Sequence, residues 1–457
     1  MAGIGFELRK IQQKNSYISD LAAYVYGAMV SSGPWLMSVL CLAVLGVTGT
    51  GLLEKSEGEI FRTTVVYTYA ASLIFIGIFQ LVTTRHLADT LFNKDLEKLS
   101  RSYVTILCVV LCTGFPLGTL AVSLLQLSFF YKLITLLLFL TVCSLWIQMI
   151  FLSALKDYRT IFYAFVLGTG TSVLSAWLFE TYWGLEGFLF GYTLGQAALM
   201  FLLLGKILTE LPLGKEFWDK TLLQAFSTYK DLAVIGLIYN LAIWIDKILF
   251  WSAPDSRLIT PMLRAHDLYD SPVFLAYLTI VPAMSMFMIK AETTFYEHYL
   301  AYYAKIMERH NLKTILAEKH NIIRVINTGA RELLLVQGGL TLVCILFAPQ
   351  IAETARLSPI QVPLLRTCLV GAFLQALLTM LTILLFYFEF RKSVLVVTSV
   401  FLLGNWGLSS ISITLGLPYY GYGYCYSCLL ALLAGLYLLS KGIRDLEYLT
   451  FAKQPIV

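Results

Sequence analysis

The residue order predicts an all-α polytopic membrane protein, and three observations carry that prediction. About twelve apolar stretches each reach the ~20 residues that ~30 Å of hydrocarbon requires. Hydrophobic residues make up 58% of the 457, charged residues only 13%, and the mean hydropathy is +0.76. Lysine and arginine gather on every second connection, the pattern of cytoplasmic loops. The apolar runs are continuous rather than alternating. Backbone facing lipid must satisfy its own hydrogen bonds, so the spanning elements are helices.

The first six spans are expected at 21–47, 61–82, 103–125, 133–152, 161–179 and 188–208. Span one is interrupted by Ser31, Ser32, Gly33 and Pro34. Proline removes a backbone donor and clashes with the preceding turn, so carbonyls and two hydroxyls are freed toward something polar or toward a neighbouring helix. Gly168-Thr-Gly-Thr-Ser172 in span five and the four-residue spacing of Gly187, Gly191 and Gly195 in span six read as close helix packing.

A basic segment at 210–231 separates these spans from six more, at 232–251, 272–289, 333–351, 368–388, 394–417 and 419–439. The expected organisation is an N-terminal six-helix bundle (1–209), a cytoplasmic amphipathic linker (210–231) and a C-terminal six-helix bundle (232–457). Within the last, 291–330 is a cytoplasmic helical connector. An even count in each half matches a parallel repeat about the membrane normal, with both termini cytoplasmic. Residues 1–20 are polar and do not read as a cleavable signal.

Span seven holds Asn240, Asp246 and Lys247. Charges inside a span are costly, about 2.5–3.5 kcal/mol each at a helix centre, so this pair stands out. Neighbours in sequence project about 100° apart on a helix, which predicts that the two are poorly placed to neutralise each other. Each then needs another partner or a wet path to line, or else Lys247 snorkels toward Trp251 at the interface. Interrupted helices in corresponding places of two halves point to a substrate path, which pairs span one with span seven. Pro282 should break span eight as well.

Phe295, Tyr299, Tyr302 and Ile306 form an apolar helical stripe in the connector, beside Glu297, His298, Lys305, Glu308 and Arg309. The stripe predicts either an interfacial helix or a docking surface for a partner. Tyr419, Tyr420 and Tyr422 lie in a tyrosine-rich run at the expected outer end of span twelve. An aromatic belt is one reading of them; stacking on sugar rings is the other.

The excluded classes are as informative. No phosphate-binding P-loop, H-E-x-x-H pair or paired-cysteine zinc pattern occurs, so no enzyme, cofactor or metal role is expected. Cys425 and Cys428 have no histidine or second cysteine pair beside them. The five histidines fall at or beyond span ends and read as solvated surface. The net charge of +5 follows the inside bias and gives no nucleic-acid signature.

Three stretches resemble one family. They are residues 1–10 (Met-Ala-Gly-Ile-Gly-Phe-Glu-Leu-Arg-Lys), Ser31-Ser-Gly-Pro-Trp35, and Tyr269-Asp-Ser-Pro-Val-Phe-Leu-Ala-Tyr277 with the segment 292–296. They are similar to the PelG family, inner-membrane components of bacterial Pel exopolysaccharide machinery in the multidrug/oligosaccharidyl-lipid/polysaccharide exporter superfamily. The resemblance implies two six-helix bundles around a central cavity and transport of an N-acetylgalactosamine-rich glycan polymer. It also implies a PelF-like cytosolic glycosyltransferase, a PelD-like cyclic-di-GMP sensor and a PelE-like membrane protein as partners, which favours docking at the connector.

One departure bears on cargo. Lipid-linked oligosaccharide flippases of that superfamily place several basic residues in the cavity for a diphosphate, and here Lys247 is the one deep candidate. An uncharged chain, sliding over hydroxyl, amide and aromatic groups, fits that scarcity. Two alternatives stand beside it: an ion-coupled exporter of lipid-linked oligosaccharide or small cationic compounds, with Asp246 as the coupling carboxylate, and a membrane scaffold without transport of its own.

Overall fold

The structure is a computed structural model that describes residues 53–155, 157–211 and 216–452, together with 41, 44 and 45. Ser31, Ser32, Gly33 and Pro34 lie outside the described residues.

Several of the long helices start where a side chain satisfies the free N–H groups of the first turn. Helix α1 (Lys55–Phe92) opens with a capping box in which Glu57 accepts from the Glu54 N–H at 3.3 Å. Helix α2 (Leu96–Ser123) opens at Asp95, whose carboxylate accepts from the Lys98 N–H at 2.9 Å. After α3 (Phe129–Leu155), Asp157 caps α4 (Tyr158–Glu210) through the Thr160 N–H at 3.2 Å.

Spans five and six are both inside α4, which breaks at Gly184 (φ +55°, ψ −132°). That backbone region admits glycine without strain. The two arms then pack closely: a Cβ on Gly191 would overlap the Ser175 carbonyl, and one on Gly195 the Ser172 backbone. The glycine spacing therefore serves packing, as its sequence pattern predicts.

The chain continues through α5 (Lys220–Thr228) and α6 (Lys230–Trp251) into a small antiparallel hairpin of β1 (Arg257–Thr260) and β2 (Leu263–Ala265). The hairpin has no apolar run of its own and is not foreseen from hydropathy. Span eight is divided into α7 (Asp267–Leu278) and α8 (Ile280–Lys290), the break falling just ahead of Pro282 as expected. A π-helical turn, Ala291–Phe295, leads into α9 (Tyr296–Met307), and Asn311 caps α10 (Leu312–Leu346). Then come α11 (Ala348–Thr354), α12 (Val362–Tyr387), α13 (Arg391–Leu415), α14 (Tyr422–Arg444) and α15 (Leu446–Phe451).

Among the described residues, ten helices are long and apolar enough to cross a membrane, and one of them, Thr160–Glu210, contains two expected spans. The architecture is the expected all-α, polytopic one, with its helices in two bundles. The first compact unit holds the described residues up to Trp244 with Trp251–Asp267, and the second holds Ile245–Phe250 and the residues from Leu268 on. The core of the first is built on Phe61, Val65, Tyr131, Leu138, Phe188 and Tyr192. The core of the second is built on Phe250, Tyr269, Val273, Leu365, Leu369 and Ala372.

In the first unit, Asp219 ties α5 to α1 and α2. Its carboxylate accepts from Ser102 Oγ at 2.6 Å and from Thr221 N at 2.9 Å, and lies 2.9 Å from His86 Nε2. Burial pushes the carboxyl upward, but hydrogen bonds from Ser102, Thr221 and His86 outweigh it and hold the group at about 2. His86 and His266 are buried at 7% and 2% exposure. The solvated-surface reading is therefore wrong for both: a histidine at a span end is buried here because a carboxylate folds over it, Asp219 in one case and Asp255 at 3.0 Å in the other.

Candidate functional site

The second unit buries a polar cluster that begins at the end of α6. Asp246 is fully buried and Lys247 is 6% exposed. Lys247 Nζ donates to both Asp246 oxygens at 3.0 Å, so the two charges do neutralise each other. The sequence expectation fails because it compared the directions in which the side chains leave the helix. It left out the flexible four-carbon stem of lysine, which curls back over its neighbour. Snorkelling to the interface is likewise excluded by the burial of Lys247.

Neighbouring helices complete the shell. Tyr269 on α7 donates its hydroxyl to Asp246 Oδ2 at 2.6 Å, and Asn405 on α13 donates to Oδ1 at 3.3 Å. Ser409, one turn along α13, donates to Asn405 Oδ1 at 2.9 Å and so orients the amide. Lys247 Nζ donates its remaining proton to Tyr277 Oη at 2.6 Å and lies 4.5 Å and 5.5 Å from the ring centres of Tyr277 and Tyr424. Tyr424 in turn donates to Gln375 Oε1 on α12 at 2.5 Å. Gly371 makes room for that ring, because a Cβ there would overlap it.

A bilayer-spanning bundle tolerates charge only when it is paired and hydrogen-bonded, and both conditions are met here. Tyr269 is further fixed by stacking on Phe250, centroids 3.7 Å apart and 12° between planes. Tyr269 and Tyr277 are eight residues apart, about two turns, so α7 offers both hydroxyls on one face. That spacing is visible in the sequence, where the stretch serves only as a family likeness. Gln375, Asn405, Ser409 and Tyr424 come from three separate helices and carry no such signal.

The other candidate residues are placed differently. Asn240 donates to the Gly236 carbonyl of its own helix at 2.9 Å, beside the close approach of Gly236 to Gly77 in the first unit, and is not joined to the cluster. Tyr420 is 4% exposed and packs edge-on against Phe250 at 4.8 Å, so it offers no open face to a sugar ring. Tyr419 (51% exposed) and Tyr422 (40%) remain open, and Tyr422 stacks on Tyr426.

The connector stripe is largely consumed within the chain. Phe295 and Tyr302 are 3% and 0% exposed, and Phe295 packs against Tyr387 at 5.1 Å and Phe388 at 5.9 Å. Tyr299 joins the same aromatic group, and Ile306 is half-buried. Phe295 and Tyr302 therefore cannot meet a partner directly. On α10, the buried Gln337 amide and Thr341 hydroxyl, one turn apart, have no hydrogen-bond partner among the described residues.

Besides the Asp219 cluster, the first unit buries a network of neutral polar groups. Tyr69 donates to Gln196 Oε1 at 3.2 Å, Gln196 to Ser172 Oγ at 3.1 Å, and Trp146 to Ser72 Oγ at 3.1 Å.

A family model described as "PelG: Putative exopolysaccharide Exporter (EPS-E)" matches residues 1–451. No curated protein matches the chain by sequence. Among solved structures, the chain is similar to an outward-facing multidrug resistance MATE family transporter of the MOP superfamily. The TM-score is 0.66 at 15% identity, over 93% of this chain and 95% of that one. A MATE protein in its straight conformation gives 0.64 at 15% identity, with the same coverage. A MOP superfamily transporter from Pyrococcus furiosus, described as having a binding pocket of reversed polarity, gives 0.64 at 14% identity over 93% and 95%. At these identities the likeness is one of fold.

Proposed function

The chain belongs to the PelG family, and from that membership we propose that it carries Pel-type exopolysaccharide across the bacterial cytoplasmic membrane. Family and fold are those of membrane transporters. The finer reading has a glycan rich in N-acetylgalactosamine as cargo and a synthase and export complex as setting, with both termini in the cytoplasm.

The observation that carries it is the closed pairing of Lys247 with Asp246. The one deep cation read from the sequence is already spent on a carboxylate. A lipid diphosphate needs several unspent cationic donors, whereas a neutral glycan needs hydroxyl, amide and aromatic contacts. The Gln337 amide and Thr341 hydroxyl, without a partner among the described residues and on a helix of the same unit, support the second kind of lining. A flippase for lipid-linked sugars fits these residues less well.

A PelF-like glycosyltransferase, a PelD-like cyclic-di-GMP sensor and a PelE-like membrane protein are the proposed partners. With Phe295 and Tyr302 buried, the exposed turn between α9 and α10 is the part of the connector proposed to meet them. Met307 there is 83% exposed and Leu312 59%, beside Arg309, His310 and Lys313.

The test uses inverted membrane vesicles containing the chain and its partners, supplied with the nucleotide-sugar donor. The expected result is polymer inside the lumen, protected from an added glycoside hydrolase until detergent is present. Accumulation of a lipid-diphosphate-linked sugar on removal of the chain would overturn the reading in favour of a flippase. Equal lumenal polymer with and without the chain would leave it a scaffold.

A further inference from the structure

We propose that the Lys247 ammonium is the resident cation of the Asp246 site, a built-in counter-ion standing where a mobile metal ion would otherwise bind. The donor set argues for this. Around Lys247 Nζ are two carboxylate oxygens at 3.0 Å and a phenol oxygen at 2.6 Å, with two tyrosine rings within 5.5 Å. Carboxylate and phenol oxygens suit a small hard cation, and the rings add cation–π attraction. The space is thus organised for one positive charge, and the chain supplies it from the adjacent residue.

The pairing also fills the carboxylate. Two contacts from Lys247, one from Tyr269 and one from Asn405 occupy the roughly four lone-pair directions that two oxygens present. A free cation would have to displace an ammonium tethered one residue away, whose effective concentration far exceeds that of an ion in solution. The displaced ammonium would then be left in a low-dielectric bundle without its carboxylate, which is costly. Asp246 is therefore saturated as folded, and the work of transport does not come from a metal cation binding at this carboxylate. The inference stands whatever the cargo is.

Purified full-length protein tests it directly. Its thermal unfolding midpoint is measured in choline chloride and in rising NaCl at constant pH and ionic strength. The wild type should not respond to Na+. Lys247→Met keeps the stem and vacates the charge, so its midpoint should rise saturably with Na+, and Asp246→Asn added to it should remove the rise. A saturable Na+ shift in the wild type, abolished by Asp246→Asn, would overturn the proposal. So would a folded Lys247→Met protein indifferent to Na+. Should Lys247→Met fail to fold, the wild-type titration decides alone.

Discussion

Neutralising the two members of the buried pair, singly and together, measures what the pairing contributes to stability. Asp246→Asn keeps the shape of the side chain but leaves the Lys247 ammonium, 6% exposed, without a counter-charge. Lys247→Met keeps the stem and leaves a fully buried carboxylate with Tyr269 and Asn405 as its remaining donors among the described residues. Removing one partner of a buried ion pair costs about 3–5 kcal/mol, because the survivor has been taken out of water with nothing to offset it. The double neutral variant restores the balance of charge. Its cost should fall to about 1–2 kcal/mol, set by the hydrogen bonds weakened at Tyr277 and Tyr269. The cycle then yields a coupling of several kcal/mol between the two sites. The assay is unfolding in mixed micelles with a denaturing detergent, followed by the fluorescence of the eight tryptophans. Two results would refute the reasoning. Single variants that lose under about 1 kcal/mol would match an exposed pair. Strictly additive losses would mean that the charges do not meet.

The remaining expectations concern packing, pH and the connector. Gly191→Val should collapse the yield of monodisperse protein on size exclusion, since its Cβ would overlap the Ser175 carbonyl where the arms of α4 cross; a normal elution profile would contradict the crossing. The Asp219 carboxyl is held at about 2, below its ordinary value of 3.8, so its stabilising effect is complete above pH ~3.8 and lost as pH falls through about 2. Asp219→Asn should therefore flatten the acid limb of stability between pH 4 and 2 while lowering stability at neutral pH, as urea unfolding of the protein in micelles would record. Tyr302→Ser should cost about 3–5 kcal/mol, as expected for emptying a fully buried aromatic site, and reduce folded protein and partner capture together. Arg309→Glu with Lys313→Glu should leave the unfolding midpoint within about 1 °C and weaken partner co-purification, because both residues are exposed.

Much of the fold is legible in the residue order, and so are parts of the site. The break at Pro282 and the crossing at Gly191 and Gly195 are local sequence features with local structural consequences. Asp246 and Lys247 stand out because charge is rare in a span, and the two-turn spacing of Tyr269 and Tyr277 was there to be read. Their meeting was not. The stripe of Phe295, Tyr299 and Tyr302 shows the same limit: periodicity says that a face must be covered, and Tyr387 and Phe388 of the same chain do the covering. His86 and His266 were misread for a related reason, since their carboxylate partners are distant or unremarkable in sequence.

Helical class and, among the described residues, the positions of the spans from the second on follow from the chain alone, because crossing a bilayer depends on the length and apolarity of each segment taken singly. The state of the buried charges is different. The Lys247–Asp246 pair is buried and caged because α7, α13 and α14 bring Tyr269, Tyr277, Asn405 and Tyr424 around the end of α6. The two charges are neighbours in sequence, but their desolvation and the hydrogen bonds that complete their shell are set by residues far away along the chain, so that part of the protein was decided in three dimensions.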